Sequence, residues 1–312
     1  TFMNDFSFRY GKKVSDKVAF KITGGYLKAD DWQASDYRNK LNLVNSGSGR
    51  WTDSGYDGVN IYGDEVAINL EDIEDQIAEG FADNLGHTEG TQEYNDAIEL
   101  IRNAIPNMDL TRTGFKEVDL VDYNAENVKI GGSLHYNIND NIRSIFQFNY
   151  AKGSSVYSAQ NRFSLNNFSI MNYKAELQSE TVLLRFSGAN ENSGDTYDAG
   201  TLAIQMNEAW KSSELWYQDF FTGFLEGMLG YGLSDQESVV LGRMKADNVD
   251  QFGNVLDSSK PHMPQSGTDQ LNALKESIIS KNIPEGGARV FDKSSMYNFD
   301  SVSYTHLTLP TT

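Results

Sequence analysis

Residues 128–150 read VKIGGSLHYNINDNIRSIFQFNY, and they contain two segments in which apolar and polar residues alternate. The apolar positions of the first segment are Val128, Ile130, Leu134, Tyr136 and Ile138. After the turn-forming residues 139–141, the alternation resumes and continues to Tyr150. Strict alternation is typical of a β-strand with one apolar and one polar face. The stretch therefore predicts an antiparallel hairpin joined by a tight turn.

The same alternation recurs in five other segments, so we expect about seven strands. They are Phe6–Tyr10, Val18–Tyr26, Phe163–Leu177, Val182–Phe186 and Tyr297–Phe299. Each strand of the opening hairpin has at least ~9 residues, which is enough to cross a membrane as a tilted strand. Tyr136 and Tyr150 lie near the ends of the apolar stripes, as an interfacial aromatic girdle requires. The apolar parity changes along 163–177, which predicts bulges or an extension beyond the membrane.

The connections between the strands alternate in length. In chain order they are short, very long, short, medium, short and very long. The two long connections, about 29–126 and 188–293, show helical periodicity and a capping box at Ser234 and Glu237. Asn69 is expected to cap a helix through Phe81. Tight turns at one end and long loops at the other are typical of outer-membrane barrels.

These features predict an all-β fold, a partial antiparallel transmembrane β-barrel of about seven strands with two long, partly helical extracellular loops. A closed sheet satisfies every backbone N–H and C=O group within lipid, whereas an isolated strand cannot. The barrel fragment would occupy residues 1–301. Residues 302–312 read VSYTHLTLPTT, and their back-translation resembles a sequencing-library adapter, so we interpret them as an artefact.

Composition excludes several classes of function. The 312 residues include no cysteine, so disulfides and thiolate metal sites are excluded. The net charge of −18 argues against nucleic acid and anionic membrane surfaces as partners. Residues 30–126 alone contain 22 acidic and 6 basic side chains. The sequence has no G-x-S-x-G motif, P-loop or helix-opening G-x-G-x-x-G, and nothing in it indicates an enzyme.

Four segments resemble TonB-dependent outer-membrane receptors, in particular those with a carboxypeptidase-regulatory-like domain before the plug. They are DDWQASD at 30–36, NRFSLNNF at 161–168, ENSGDTY at 191–197 and GARVFDKS with MY at 287–297. The resemblance implies a barrel of about 22 strands that is closed by a plug. It also implies import of a large or scarce solute across the outer membrane, with energy delivered by TonB. The plug that contacts TonB is not among these residues.

The resemblance also suggests partners and binding residues. Outer-membrane lipid would surround the barrel, TonB would act through the plug, and a surface lipoprotein is a further candidate partner. Candidate ligand-binding residues in the resembling segments are Trp32, Asp36, Arg162, Glu191, Asp195 and Tyr197. The sequence does not identify the solute.

Acidic clusters raise the question of Ca²⁺, which prefers oxygen ligands. One cluster contains Asp64, Glu65, Glu71, Asp72, Glu74, Asp75 and Glu79, and its spacing fits no EF-hand loop. We favour a solvated acidic face there and expect no cofactor, with Ca²⁺ as the alternative. Glu191, Asp195 and Asp198 flank Gly194, where we favour a turn that tethers the base of the loop over a ligand or Ca²⁺ site.

Aromatic and histidine residues allow further interpretations. Tyr26 with Trp32, or Trp210 with Trp216, Tyr217 and Phe220, could stack on a sugar or peptide, but helical spacing favours internal packing for the second group. Zinc is not expected, because the histidines are isolated, and His135 fits a polar barrel interior. Two alternative functions remain open: a secreted or periplasmic β-rich glycan-binding module, and a passive porin.

Overall fold

The chain forms two compact units in the computed structural model, and each unit is assembled from segments that are distant in sequence. The structure describes residues 2–40, 49–65 and 67–304. The first unit comprises the chain up to Gln33, Val121–Asp198 and the chain from Arg289 onward, and the second comprises Ala34–Leu120 and Ala199–Ala288. The predicted boundary at 302 falls inside a strand that ends at Ser303, and residues 305–312 lie outside the described residues.

The elements of both units are numbered in chain order. The strands are β1 (Met3–Lys13), β2 (Val18–Asp30), β3 (Ile61–Tyr62), β4 (Ala67–Asn69), β5 (Asp109–Thr111), β6 (Phe115–Lys116), β7 (Asn124–Asn137), β8 (Arg143–Ser158), β9 (Arg162–Gln178), β10 (Val182–Asn192), β11 (Tyr197–Asp198) and β12 (Lys293–Ser303). The helices are α1 (Glu74–Asn84), α2 (Gln92–Ala104), α3 (Glu117–Leu120), α4 (Ala199–Trp210), α5 (Ser213–Leu225), α6 (Asp235–Asp247) and α7 (Asp269–Ile279).

The first unit is built on one open, antiparallel sheet. Its strand order is β1-β2-β7-β8-β9-β10-β12, and β11 pairs with β9 in addition. These seven long strands are the seven that the alternation predicts. The all-β class is too simple, because the described part of the chain also has seven α-helices. The long connections contain enough apolar residues to bury a helical core of their own. The all-β prediction was based on the strands and did not take this second core into account.

Tight turns join the strands at one end of the sheet, which we call the turn end; the opposite end is the loop end. Each turn is closed by a side-chain oxygen. Asn139 Oδ1 accepts hydrogen bonds from the backbone N–H groups of Asn141 and Ile142, both at 2.9 Å, and Ser179 Oγ accepts one from Val182 at 3.0 Å. Asn and Ser favour turns for this reason, since their short side chains bond the nearby backbone.

The connection between β8 and β9 is shorter than the sequence suggests. Both strands extend past the predicted turn, and only residues 159–161 separate them. The β8–β9 register shifts between Gly153 and Ser155, and Asn167 adopts a left-handed conformation with φ 56° on the facing strand. An extra residue on one strand turns its side chains to the other face. The bulge predicted from the parity change is therefore confirmed.

The predicted helices are present in the second unit, with one shifted start. Side-chain oxygens cap four of them: Thr91, Ser212, Ser234 and Thr268. The capping box of Ser234 and Glu237 is confirmed. Asn69, however, accepts a hydrogen bond from the Glu71 backbone N–H at 3.0 Å and opens a short 3₁₀ turn instead. Consequently α1 begins at Glu74 rather than directly after Asn69.

The two long connections share one hydrophobic core. Trp216, Phe220 and Phe224 occupy successive turns of α5, are at most 1% exposed, and stack on one another. Leu70, Ile101 and Leu110 of the first connection belong to the same buried cluster. Full burial of each such side chain contributes ~1.5–3 kcal/mol. Two segments predicted as separate loops therefore fold as one unit.

Helices α5 and α6 pack closely because glycines lie at their contact. A Cβ added to Gly242 would come within 2.9 Å of both Phe220 Cε2 and the Phe220 backbone oxygen. Real Cβ atoms do not approach backbone atoms so closely. Gly80, in the middle of α1, has open space where its Cβ would be.

We expect Gly242→Ala to destabilise the second unit. The methyl group would force the α5–α6 contact apart, at a cost of ~1–3 kcal/mol. Gly80→Ala is the matched control, because it makes the same change inside a helix and should stabilise by ~0.5–1 kcal/mol. Urea unfolding followed by tryptophan fluorescence measures both. Equal effects of the two substitutions would contradict the assigned helix contact.

Candidate functional site

One face of the large sheet is continuously apolar and exposed. Directly opposed residues lie on the same face, so the pairing register fixes the members of each row across the strands. One such row is Tyr10, Ile22, Gly132, Phe148, Tyr173, Gly188 and Tyr297. Seventeen large apolar side chains on this apolar face are at least 36% exposed: Phe6, Phe8, Tyr10, Ile22, Tyr26, Val128, Ile130, Leu134, Tyr136, Phe146, Phe148, Met171, Leu177, Val182, Phe186, Tyr297 and Phe299.

Aromatic rings are packed over glycines on this face. A Cβ on Gly132 would lie 2.7 Å from the ring of Phe148, the residue directly opposite on β8. Phe8 covers Gly24 and Tyr173 covers Gly188 in the same way, each from the directly paired position. An aromatic ring over a strand glycine stabilises one pairing register and occupies the space that a side chain would otherwise fill. The apolar face is therefore packed, although it is exposed.

The opposite face, which we call the polar face, has a different composition. On the described strands, four large apolar side chains are exposed on it: Met3, Tyr157, Met296 and Val302. Glu176 on β9 forms ion pairs with Lys174 at 2.9 Å and with Arg185 at 3.1 Å. His135 lies on this face, as predicted, together with Lys129 and Ser133. Alternation along the strands therefore separates two chemically distinct surfaces.

The segment 193–198 holds the loop base by hydrogen bonds, at the point where the chain leaves β10. Asp195 accepts hydrogen bonds from Asn167 Nδ2 at 3.1 Å and from Arg289. Arg289 also donates to the Gly194 backbone oxygen at 3.0 Å, and Ser193 Oγ donates to the Val290 oxygen at 2.8 Å. Tyr197 is 3% exposed and pairs with β9. These contacts agree with the favoured interpretation of a tether.

The other candidate ligand-binding residues belong to different elements of the chain. Trp32 is 71% exposed, and Asp36 forms an ion pair with Arg38 at 2.6 Å. The Arg38 hydrogen bonds lower the pKa of Asp36 to about 2. Arg162 begins β9 and donates to Ser158 Oγ, while Glu191 lies on β10. Trp32 is the candidate with the most accessible ring for stacking.

The aromatic residues of α4 and α5 serve packing rather than stacking on a solute. Trp216 and Phe220 are fully buried, as their helical spacing favours. Trp210 donates from Nε1 to Asn207 Oδ1 at 3.1 Å, and Arg112 lies over both tryptophan rings, at 5.8 Å from Trp210 and 5.7 Å from Trp216. Cation–π contacts of this kind strengthen when they are desolvated.

A buried polar network joins the two long connections, and the sequence analysis did not identify it. Arg243 is 1% exposed and donates to the backbone oxygens of Thr111 at 3.0 Å and Ser54 at 2.7 Å. Asp247, one turn later on α6, accepts from Thr113 Oγ1 at 2.7 Å and from Trp216 Nε1 at 2.8 Å. Burial lowers the pKa of Arg243 to about 10. The sequence feature that could have indicated this network is an arginine and an aspartate four residues apart on one predicted helix.

A second buried arginine extends this network. Arg112 donates to Glu208 Oε1 at 3.1 Å, Ser213 Oγ at 2.9 Å and the Lys211 backbone oxygen at 2.9 Å. The Arg112 side chain is buried, whereas Glu208 is partly exposed to solvent. The network fixes how the two connections fit together within the second unit.

Asp64 differs from the rest of the acidic cluster. Its side chain is fully buried; Oδ2 accepts a hydrogen bond from the Gly58 backbone N–H at 3.0 Å, and Oδ1 has no hydrogen-bond partner among the described residues. Burial raises the pKa of Asp64 to about 7 and also raises that of Glu65. Five members are exposed, as a solvated face requires: Glu65, Glu71, Asp72, Asp75 and Glu79. The prediction of a solvated face is therefore wrong for Asp64.

The structure also bears on metals and on membrane helices. Within the described ranges, no three Asp, Glu or His side chains form a group that could hold a metal ion. None of the described helices combines the length and apolarity needed to span a membrane.

The units differ in charge. The second unit has 12 basic and 30 acidic side chains, whereas the first has 14 of each. The net charge of −18 therefore belongs to the second unit.

Family models and curated proteins were compared with the sequence, and none of them matches it. The assignment to a family consequently rests on the resemblance of the segments quoted above.

We expect the free energy of unfolding of the second unit to fall as the pH rises from about 4 to about 7. In this window the buried Asp64 carboxyl keeps a proton that the unfolded chain releases, so its contribution is complete below pH 4 and lost above pH 7. Asp64→Asn removes this dependence. At pH 8 the variant should be more stable than the native chain by up to ~4 kcal/mol.

Urea unfolding between pH 4 and pH 8, followed by tryptophan fluorescence, tests this expectation. The quantity to compare is the difference between native chain and variant at each pH, because other groups titrate in both. Asp72→Asn is the control, since Asp72 is exposed. A difference that stays constant over the whole range would refute the protonation of Asp64.

Proposed function

We propose that the large sheet is part of the wall of a membrane-spanning β-barrel, and that the chain belongs to a TonB-dependent outer-membrane receptor that imports a large or scarce solute. The continuous apolar face supports this proposal more than any other observation. Monomeric soluble proteins rarely expose contiguous apolar patches larger than a few hundred Å². Contact with hydrocarbon removes the cost of exposing these side chains, since lipid tails do not form the hydration shell that water does.

The apolar face has dimensions that suit a bilayer. On β7 it runs from Val128 to Tyr136, nine residues, or ~27 Å along the strand at ~3.3 Å per residue. A tilt of ~40° reduces this length to ~20 Å, close to the ~25 Å apolar band of outer-membrane barrels. Tyrosines flank the face: Tyr10 and Tyr136 towards the turn end, Tyr26 and Tyr150 towards the loop end. Aromatic girdles at both interfaces have this arrangement.

The sheet edges favour a larger assembly of strands. In the described sheet, β1 and β12 each pair on one side only. Within lipid their remaining N–H and C=O groups need partners, and further strands of a closed barrel would provide them. A barrel of about 22 strands, as the resemblance implies, is consistent with seven strands in this chain.

The acidic second unit would then belong to the extracellular side. Both long connections leave the sheet from the loop end, as the antiparallel order requires. Candidate residues for the solute are those named from the sequence, of which Trp32 is the most exposed. TonB, a plug and a surface lipoprotein enter the proposal through the resemblance alone. Fractionation of the full-length gene product separates this proposal from a glycan-binding module, because that module would be soluble.

We expect Phe148→Arg to impair folding into membranes. Phe148 is 47% exposed near the middle of the apolar face, where an arginine would cost ~2–4 kcal/mol in lipid. Gln147→Arg is the control, because the adjacent side chain lies on the polar face and can hold a charge in water. The heat-modifiable fraction of the full-length product in outer membranes is the measurement. Normal levels of folded Phe148→Arg in that fraction would count decisively against the proposal.

A further inference from the structure

Three basic side chains on the polar face have no acidic partner. They are Arg9 on β1, Lys21 on β2 and Lys129 on β7, which are adjacent strands of the sheet. In the part of the chain that the structure describes, none of the three forms an ion pair or a side-chain hydrogen bond. The nearby Lys174 is different, because it pairs with Glu176. Three unpaired cations on neighbouring strands repel one another unless an anion lies between them.

The register places these cations around one position. Arg9 is directly opposite Thr23, so Lys21, two residues away on the same strand, is its diagonal neighbour. Thr23 in turn is opposite Gly131, and Lys129 is diagonal to Thr23 from the other side. Diagonal pairs in a sheet are separated by ~7–8 Å, within reach of long side chains. Arg9, Lys21 and Lys129 can therefore converge above Thr23.

The surface among them is low. Gly25 on β2 lies beside Thr23 on the polar face, and Gly11 on β1 is nearby. At Gly131 on β7 the space is filled, because Thr23 Oγ1 and Asn149 Oδ1 would each lie 2.7 Å from an added Cβ. At Gly25 the nearest atom to an added Cβ is 3.7 Å away, so ordinary space is left above the backbone. We call this shallow depression, with its rim of Arg9, Lys21 and Lys129, the basic basin. Glycine positions let a ligand approach a strand closely.

We infer that the basic basin binds a small multivalent anion, such as a solute with several carboxylate, sulfonate or phosphate groups. Charge complementarity supports this occupant. Three cations lie close together there, and none of them forms an ion pair with an acidic side chain of the described residues. Charge-assisted hydrogen bonds from arginine and lysine to such oxygens are the strong class of hydrogen bond. The idea that transported solute passes the basic basin rests on the proposed function. Binding of an anion by the basin does not depend on that function.

The overall charge makes this inference specific. The protein as a whole has a net charge of −18, which repels anions non-specifically. At ~0.15 M salt, charges are screened beyond ~8 Å, so an anion that binds under these conditions senses its immediate neighbours. Binding of a polyanion to so acidic a protein therefore requires a local basic site.

The test uses pyrene tetrasulfonate, a fluorescent tetravalent anion, with the full-length gene product in detergent. Fluorescence anisotropy at 0.15 M salt gives the Kd. The test variant combines Arg9→Gln, Lys21→Gln and Lys129→Gln. The control combines Lys12→Gln, Lys28→Gln and Lys152→Gln, which remove the same charge from positions of the opposite parity on the same or adjacent strands.

We expect the test variant to bind the probe at least about tenfold more weakly than the native protein, the effect of losing one charged hydrogen bond. The control should stay within about twofold of the native Kd, since its sites are separated from the basin by the sheet. Unchanged binding by the test variant, an equal loss in the control, or no binding by the native protein would each overturn the inference.

Heat-modifiability of the same samples reports whether the barrel has folded. It therefore tests the proposed function independently of probe binding. Normal membrane folding without probe binding contradicts the basic basin alone. Probe binding by a soluble product contradicts the barrel alone. Should the triple variant fold poorly, the single substitutions Lys21→Gln and Lys129→Gln replace it, with Lys129→Arg expected to restore the native Kd.

Discussion

The structure depends on backbone hydrogen bonding in a sheet whose one face is apolar throughout. Because side chains alternate between the faces, pairing in a single register aligns Phe6, Tyr26 and Val128, or Leu134 with Phe146, across successive strands. A slip by one residue would exchange the faces and place Lys129 or Gln147 among the aromatic rings. The contacts of Phe8, Phe148 and Tyr173 with the glycines directly opposite favour the observed register.

The two long connections solve a different physical problem. Each carries an amphipathic set of helices and many acidic side chains, and neither provides a complete core on its own. Joined, they bury Trp216 and Phe220 against Leu70 and Ile101, and they satisfy Arg243 with backbone oxygens of the first connection. Desolvating a guanidinium is costly, so its partners must be placed accurately. Burial of these polar groups makes the fit between the connections specific as well as stable.

The separation of charge follows from this division. The sheet unit balances its charges, with 14 basic and 14 acidic side chains. The helical unit has the whole excess of −18, and most of the acidic cluster at 71–79 faces solvent. Asp64 is buried, and desolvation of its carboxyl raises its pKa, with the nearby Glu65 and Asp57 acting in the same direction.

The sequence by itself determined the seven long strands and the tight turns at the turn end, because a period of two and short turn motifs are local properties. It also located the helix that follows Ser234 through its capping box with Glu237. The tertiary structure alone decided that the two connections fold as one unit and that Arg243, Asp247 and Asp64 are buried. These outcomes depend on contacts between residues about a hundred or more positions apart, and no local pattern encodes which distant segment will supply the partner. Convergence of Arg9, Lys21 and Lys129 required the strand register for the same reason.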